Sequence, residues 1–198
     1  EMQRSLVGSE MCIRDRGNVE ATLDGVYNDA STDIKDEVNS GESSEESNVD
    51  ESGVVVNIAK NDAPATTSAT LNVTKAAAKS LASAPALTVK TDVGDVQLDA
   101  QALDKVAQAT DDVAITIEKK SSTDSYAKAL YTVEVKSDDE NLLPESAANN
   151  GTVTITVAKP DSVENPQAWY VVGEGSSLVY VERLAATETD GRIAITIN

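Results

Sequence analysis

Short runs of alternating β-branched residues, separated by turn signals, recur between Gly53 and the end of the chain. Val113–Glu118 (VAITIE) and Thr152–Val157 (TVTITV) place an apolar side chain at every second position. Because successive side chains of a strand point to opposite faces, this spacing predicts half-buried strands that share one core. This pattern therefore predicts a fold built mainly from sheets, in which any helices are short.

Further segments of the same block complete the predicted strand set. We predict additional strands at Val54–Ile58, Thr70–Val73, Tyr126–Lys136, Trp169–Val172, Leu178–Glu182 and Arg192–Ile197. Leu87–Lys90 and Asp95–Leu98 are predicted to form a hairpin across Val93-Gly94. The polar stretch Asp138–Asn150 is predicted to be a loop.

Two segments have the spacing and capping residues of short helices. Thr74 precedes the first, Lys75–Ser83, and Asp99 precedes the second, Ala100–Ala109, each as a candidate N-cap. Leu98 before the second cap is placed to pack on Leu103 as a hydrophobic staple. The two strand–cap–helix segments, LNVTKAAAKSLA and VQLDAQALDKVA, resemble each other. Duplication and two independent strand-to-helix entries both explain this echo.

Residues 17–52 have a different composition. They contain 11 acidic residues and one basic residue, Lys35. Low apolar content and repulsion between like charges do not offset the entropy lost on ordering, so this stretch is predicted to be a disordered acidic linker. The fold class is therefore α+β and β-rich, with mostly antiparallel sandwich-like sheets, two short helices and a preceding linker.

The residue types that are missing restrict the chemistry. From Gly17 onward the chain has no Cys, Met, His or Phe. This excludes disulfides, cysteine-based metal sites and Ser-His-Asp or Cys-His triads from that stretch. The net charge of −18 opposes binding to nucleic acid and to anionic membranes. We predict no enzymatic activity, no catalytic, cofactor-binding or metal-binding residues, no cofactor and no membrane insertion.

Three groups of polar residues are candidate sites, and each also has a structural interpretation. A cluster of acids could serve glycoside hydrolysis, but Asp99 is better explained as a cap and Asp111-Asp112 as a turn; the cluster comprises Asp92, Asp95, Asp99, Asp104, Asp111 and Asp112. The run Asp138–Asn141 could hold a cation, although an exposed loop is the simpler interpretation. Asn72 and Asn150 begin glycosylation sequons, and Asn72 lies in a predicted strand.

Aromatic residues near the end of the chain offer one further candidate site. Trp169 and Tyr170 lie on one predicted strand and Tyr180 on the next. Their rings could form a sugar-binding platform or a cross-strand packing pair, and packing is the favoured interpretation. Alternation places Trp169 and Tyr170 on opposite faces, so we expect at most one of them to be buried.

The segment Leu6–Arg16 (LVGSEMCIRDR) resembles a translated sequencing adaptor, because its back-translation gives a transposon-end sequence used in library preparation. Residues 1–16 are therefore excluded from fold reasoning. They carry three acids and three bases, so the net charge belongs to the remainder. The predicted organisation is residues 1–16 adaptor-derived, 17–52 linker, and 53–198 a single β-rich domain that we expect to continue beyond Asn198.

Ala86–Lys119 resembles a module of Gram-positive surface proteins that carry S-layer-homology repeats. The shared features are a T-x-x-G-x-V-x-L-D-A-x-A-L hairpin-to-helix step and a V-x-I-x-I-x-K strand. Gly151–Gly175 and Gly191–Asn198 are similar to its second half, whose His-Phe-Ser/Thr step would follow Asn198. The resemblance implies location at the cell wall or cell surface and supplies no binding residues.

The expected function is a non-catalytic, extracellular structural or adhesion module of a bacterial cell-surface protein. Its expected partner is a cell-wall polymer or a host or matrix glycan, bound through domains outside this stretch. One alternative is a ZU5- or GAIN-like self-cleaving module, because such modules also end near a His-x-Ser/Thr step. Another is a carbohydrate-binding module that uses Trp169 or Tyr180.

Overall fold

In the computed structural model, the chain is described at residues 18–24, 44–50, 53–59, 66–138, 140–142, 151–161, 163–173 and 177–197. The predicted adaptor-derived segment and part of the predicted linker lie outside these residues. Elements are numbered in chain order. The strands are β1 Asn18–Leu23, β2 Ser44–Asp50, β3 Gly53–Ala59, β4 Ser68–Val73, β5 Ala86–Thr91, β6 Asp95–Asp99, β7 Val113–Lys120, β8 Leu130–Ser137, β9 Glu140–Asn141, β10 Val153–Ala158, β11 Ala168–Val172, β12 Val179–Thr189 and β13 Arg192–Ile197. The helices are α1 Lys75–Ser80, continued by a 3-10 turn at Leu81–Ser83, and α2 Ala100–Ala107.

The described strands form two sheets that share one aliphatic core. The five-stranded sheet has the order β1-β4-β7-β8-β9, and the eight-stranded sheet the order β11-β12-β13-β10-β6-β5-β3-β2. Among the described strands, β1 with β4 and β3 with β5 pair in parallel, whereas the other pairings are antiparallel. The β-rich α+β class and the mostly antiparallel sandwich are confirmed.

Alternation explains why these strands meet in a common core. In β4 the residues Ala69, Leu71 and Val73 are buried while their neighbours are half-exposed. β7 repeats the pattern with Val113, Ile115 and Ile117. The facing sheet contributes buried aliphatic residues from five strands: Val54, Val56, Ile58, Leu87, Val89, Val96, Leu98, Val153, Ile155, Val157 and Ile193. The predicted period of two is therefore present in both sheets of the sandwich, and the buried residues of each sheet face the shared core.

The two predicted helices are confirmed, and both begin at the predicted caps. Thr74 Oγ1 accepts a hydrogen bond from the Ala77 N–H at 3.4 Å, and Asp99 Oδ1 accepts one from the Ala102 N–H at 2.9 Å. Each cap satisfies a donor that the first helical turn leaves unpaired. The helices contact each other although β4 and β6 belong to different sheets. The two similar strand–cap–helix segments thus meet and bury one shared set of aliphatic side chains.

The structure differs from the linker prediction at two segments. β1 alternates like the strands of the main block, with Val19, Ala21 and Leu23 buried and the residues between them exposed. Its parallel pairing with β4 supplies the backbone hydrogen bonds that an acidic segment lacks in isolation. β2 likewise pairs with β3 along its full length. Average composition over a long window concealed both short strands.

The predicted strand Tyr126–Lys136 begins four residues later than expected, at Leu130. The reason is local, because Asp124 Oδ1 accepts hydrogen bonds from the backbone N–H groups of Tyr126 and Ala127 at 2.7 and 3.2 Å. Those groups are therefore not available to a strand ladder. Residues 121–129 instead form the β7–β8 connection, and the ladder starts where Lys120 faces Leu130.

β12 differs from the other long strands because its side chains are exposed along nearly its whole length. Its first half pairs with β11, and its second half, from Ala185, pairs with β13. The sheet register shifts between Tyr170 and Val171, as a β-bulge does. The β11–β12 pair is accordingly a two-stranded ribbon at the edge of the eight-stranded sheet, and it carries the candidate site.

Candidate functional site

The acidic cluster between Asp92 and Asp112 is divided among separate structural contacts. Asp99 caps α2, as predicted. Asp112 Oδ1 accepts a hydrogen bond from the Lys75 N–H at 2.8 Å, and Asp95 Oδ2 lies 3.0 Å from a guanidinium nitrogen of Arg192. Asp99, Asp112 and Asp95 thus each contact a different structural partner, which favours the structural interpretation of these three acids over a hydrolytic one.

The second acidic candidate, Asp138–Asn141, is only partly described. Asp138 adopts a positive φ of 50°, Asp139 lies outside the described residues, and Glu140 and Asn141 form the short strand β9. The segment predicted as a loop therefore contains one extra strand pairing, with the end of β8. Among the described residues, no group of three or more carboxylates has the geometry to hold a metal ion.

Of the two sequon asparagines, the structure describes Asn72. Asn72 lies in β4, as predicted, and its Nδ2 donates a hydrogen bond to Glu20 Oε1 of β1. This amide therefore links the parallel pair β1–β4 at the surface. Asn150 lies outside the described residues.

The aromatic residues form a defined surface on the β11–β12 ribbon. Trp169 lies directly opposite Arg183, and Val171 lies directly opposite Tyr180. Because directly opposed residues of an antiparallel pair share a face, as do residues two apart on one strand, these four side chains lie on the same face. We call this set, Trp169, Val171, Tyr180 and Arg183, the aromatic face.

The two rings of the aromatic face contact each other and remain accessible. Their centroids are 6.1 Å apart with an interplanar angle of 85°, the edge-to-face arrangement that aromatic quadrupoles favour. Trp169 is 41% exposed and Tyr180 is 37% exposed. The favoured cross-strand packing is therefore present, and it leaves much of both rings open to solvent.

Asp124 fixes the hydroxyl end of Tyr180. The Tyr180 hydroxyl donates a hydrogen bond to Asp124 Oδ1 at 3.1 Å, across 56 residues of sequence. The same oxygen accepts the Tyr126 and Ala127 N–H groups, so three donors converge on it. Hydrogen bonding, chiefly from the Tyr126 N–H, holds the pKa of the Asp124 carboxyl below its usual value of 3.8. Desolvation, and then the bond to Asp124, raises the pKa of Tyr180 above 10.0.

A shallow groove lies beside the ribbon. It has a volume of about 290 Å³ and is lined in part by Arg183. Asn165, Gln167 and Glu188 also line it. Lys159 Nζ holds Glu188 Oε1 at 2.8 Å and keeps that carboxylate in place. The groove thus combines amide and charged groups, and Arg183 is the residue that it shares with the aromatic face.

Sequence reasoning identified Trp169 and Tyr180 but missed Asp124. A local signal was present, because an Asp followed two and three residues later by residues with a backbone N–H is compatible with an Asx turn. That signal predicts the bonds to Tyr126 and Ala127. It carries no information on Tyr180, which reaches Asp124 only through the tertiary fold.

No protein-family model matches this chain, and no curated protein or solved structure matches it. The helices of the described residues span six and eight residues, and none has the length and apolar character needed to cross a membrane. The geometry of the molecule therefore carries the functional interpretation.

Proposed function

We propose that this chain is a non-catalytic structural or adhesion module of an extracellular bacterial cell-surface protein. The observation that carries the proposal is the way the described polar groups are used. Asp99 and Thr74 cap helices, Asp95 pairs with Arg192, and Asp124 orders a loop. These roles are structural, and they support a module whose polar residues stabilise the fold.

The architecture adds to this support. Two sheets and two capped helices enclose one aliphatic core, and the exposed ribbon displays aromatic side chains away from it. Function placed on a surface carried by a rigid scaffold is common among modules that bind other molecules. The strong negative charge, −18, also favours a solvated protein in a setting rich in cations. The resemblance to modules of S-layer-type proteins points to the same location.

The test is the complete gene and the location of its product. We expect an export signal upstream and a wall-binding or anchoring region elsewhere in the reading frame. The full-length protein, epitope-tagged next to residue 198 and expressed in a Gram-positive host, should be removed from intact cells by added protease. A cytosolic marker protein should survive the same treatment.

A tag that is digested only after lysis would contradict the proposal, as would a reading frame with no export signal and an adjoining intracellular enzyme domain. Both outcomes concern location and are independent of any ligand.

A further inference from the structure

The aromatic face is exposed in a way that folding does not require. Trp169 and Tyr180 are the bulky members of a ribbon whose second strand has hardly a buried side chain. Large apolar surfaces contribute to stability when they leave water, at roughly 25 cal/mol per Å². Rings left in water make little of that contribution, and an exposed apolar patch with a polar rim is characteristic of a binding surface.

The rings are also held in position before any ligand arrives. Tyr180 is fixed at its hydroxyl by Asp124, 3.1 Å away, and at its ring by the edge-to-face contact with Trp169. Asp124 is in turn fixed by backbone donors of its own loop. A surface whose side chains are already ordered loses less conformational entropy on binding, which favours affinity for a small ligand.

From this geometry we propose that the aromatic face binds an uncharged pyranose oligosaccharide, with one sugar ring stacked on the exposed ring of Trp169 and bordered by Tyr180, whose ring plane is nearly perpendicular to it. The face of an aromatic ring is electronegative, and the C–H groups on one side of a pyranose carry partial positive charge, so the two surfaces attract. Arg183 lies on the same face as Trp169 and supplies hydrogen-bond donors for hydroxyl groups of the sugar.

Charge and size select this occupant over others. The net charge of −18 repels anionic polymers, which leaves uncharged glycans among the carbohydrates of a cell surface. The ribbon face spans two strands and five residues, roughly 10 Å by 17 Å from strand spacing and rise. A stable protein interface buries about 800 Å² per partner, far more than this face offers. The proposal deepens the adhesion role proposed above and rests on it.

The chain provides its own reporter for the test, because Trp169 is its single tryptophan. The purified 198-residue protein is titrated to 10 mM with four soluble probes: cellotetraose, chitotetraose, maltotetraose and mannotetraose. With at least one probe we expect a saturable shift of tryptophan emission to shorter wavelength, since stacking removes water from the ring. Calorimetry with the same probe should give the same dissociation constant.

Three variants locate the site. Tyr180→Ala should weaken binding of the responding probe by about tenfold or more, because the ring that borders the sugar and holds Trp169 in position is lost. Tyr180→Phe keeps the ring and removes the bond to Asp124, and we expect a loss of about two- to fivefold. Val179→Ala is the matched control, since Val179 is 59% exposed on the same strand and lies opposite Val172 on the other face. Its affinity should stay within about twofold of the parent.

Three results would overturn the proposal. One is the absence of an emission shift with all four probes. Another is equal weakening by Val179→Ala and Tyr180→Ala. The last is a concentration-dependent dimer, seen by light scattering and abolished by Tyr180→Ala, which would make the face a contact between two copies. Because the titration uses purified protein and the protease experiment uses intact cells, failure of the sugar site and failure of the surface location are distinguishable.

Discussion

The helix-closed part of the sandwich and the β11–β12 ribbon use similar strand sequences for opposite purposes. Around α1 and α2, the side chains of Leu98, Leu103 and Val106 are fully buried. On β12, Val179, Tyr180 and Val181 are exposed to solvent, on a strand that is exposed almost throughout. Apolar residues are therefore present in both regions, but they are buried in only one of them.

The difference lies in what covers each face. The helices follow β4 and β6, which belong to opposite sheets, and their contact closes the space between the sheets. The eight-stranded sheet has three more strands than the five-stranded sheet described opposite it. The surplus edge strands have fewer side chains to pack against, which leaves the ribbon available for binding. The covered part of the sandwich thus stabilises the fold, whereas the β11–β12 ribbon exposes its side chains to solvent.

The largest expected effect comes from the covered region. Leu103→Ala removes a fully buried side chain from α2 and leaves a cavity among aliphatic neighbours. We expect the free energy of unfolding to fall by about 3 kcal/mol, measured by urea denaturation. Gln101→Ala, on the exposed side of the same helix, should change it by no more than about 0.5 kcal/mol. Similar losses in both variants would show that α2 does not close the core.

A second prediction concerns the entry to β10, which touches the start of α2. Gly151 has a φ of +87°, and a Cβ there would lie 2.1 Å from the Ala102 nitrogen. Gly151→Ala should therefore destabilise the protein by about 2 kcal/mol in thermal and urea unfolding.

The matched control for Gly151 is on the ribbon side of the molecule. Gly191 has a φ of +75°, but a Cβ there meets nothing within 4 Å. Gly191→Ala carries only the left-handed backbone penalty, about 1 kcal/mol. A larger loss for Gly191→Ala than for Gly151→Ala would reverse the proposed contrast between a crowded end and an open one.

The cap of α2 should have a smaller effect. Asp99→Ala removes the acceptor of the Ala102 N–H, and we expect a loss of about 1 kcal/mol in the free energy of unfolding. Asp99→Asn keeps a side-chain oxygen at the same place and should remain close to the parent. If the asparagine variant lost as much as the alanine variant, charge and not the cap bond would be responsible.

The smallest effect is a local acid transition of the ribbon. A carboxyl whose pKa is lowered in the folded state stabilises that state above its unfolded pKa, and this stabilisation is lost as the pH falls through the folded pKa. For Asp124 the loss therefore occurs below pH 3.8. The emission of Trp169 should change in that range as Tyr180 is released. Asp124→Asn should abolish the transition; an unchanged transition in this variant would assign it to other carboxyls.

Most of the fold could be predicted from local patterns, because the helix caps, the β5–β6 hairpin and the strands of the main block depend on residues close in sequence. Thr74 and Asp99 each precede a helix whose third N–H they accept, and Arg192–Ile197 forms a strand with the predicted bounds. β1 depends on a distant partner, β4, whereas β2 pairs with its neighbour in sequence, β3, which begins three residues after β2 ends. β1 carries the same alternation as the main block, and the acidic composition of residues 17–52 concealed it.

The candidate site also has features that the sequence predicts and features that depend on the tertiary structure. The sequence alone determined that two aromatic residues lie on neighbouring strands and that Trp169 and Tyr170 point apart. Only the tertiary structure decided that Tyr180 reaches Asp124, 56 residues away, and that the ribbon remains uncovered. The physical reason is that alternation fixes which side chains share a face, whereas the number and order of strands in the two sheets decide which faces are buried.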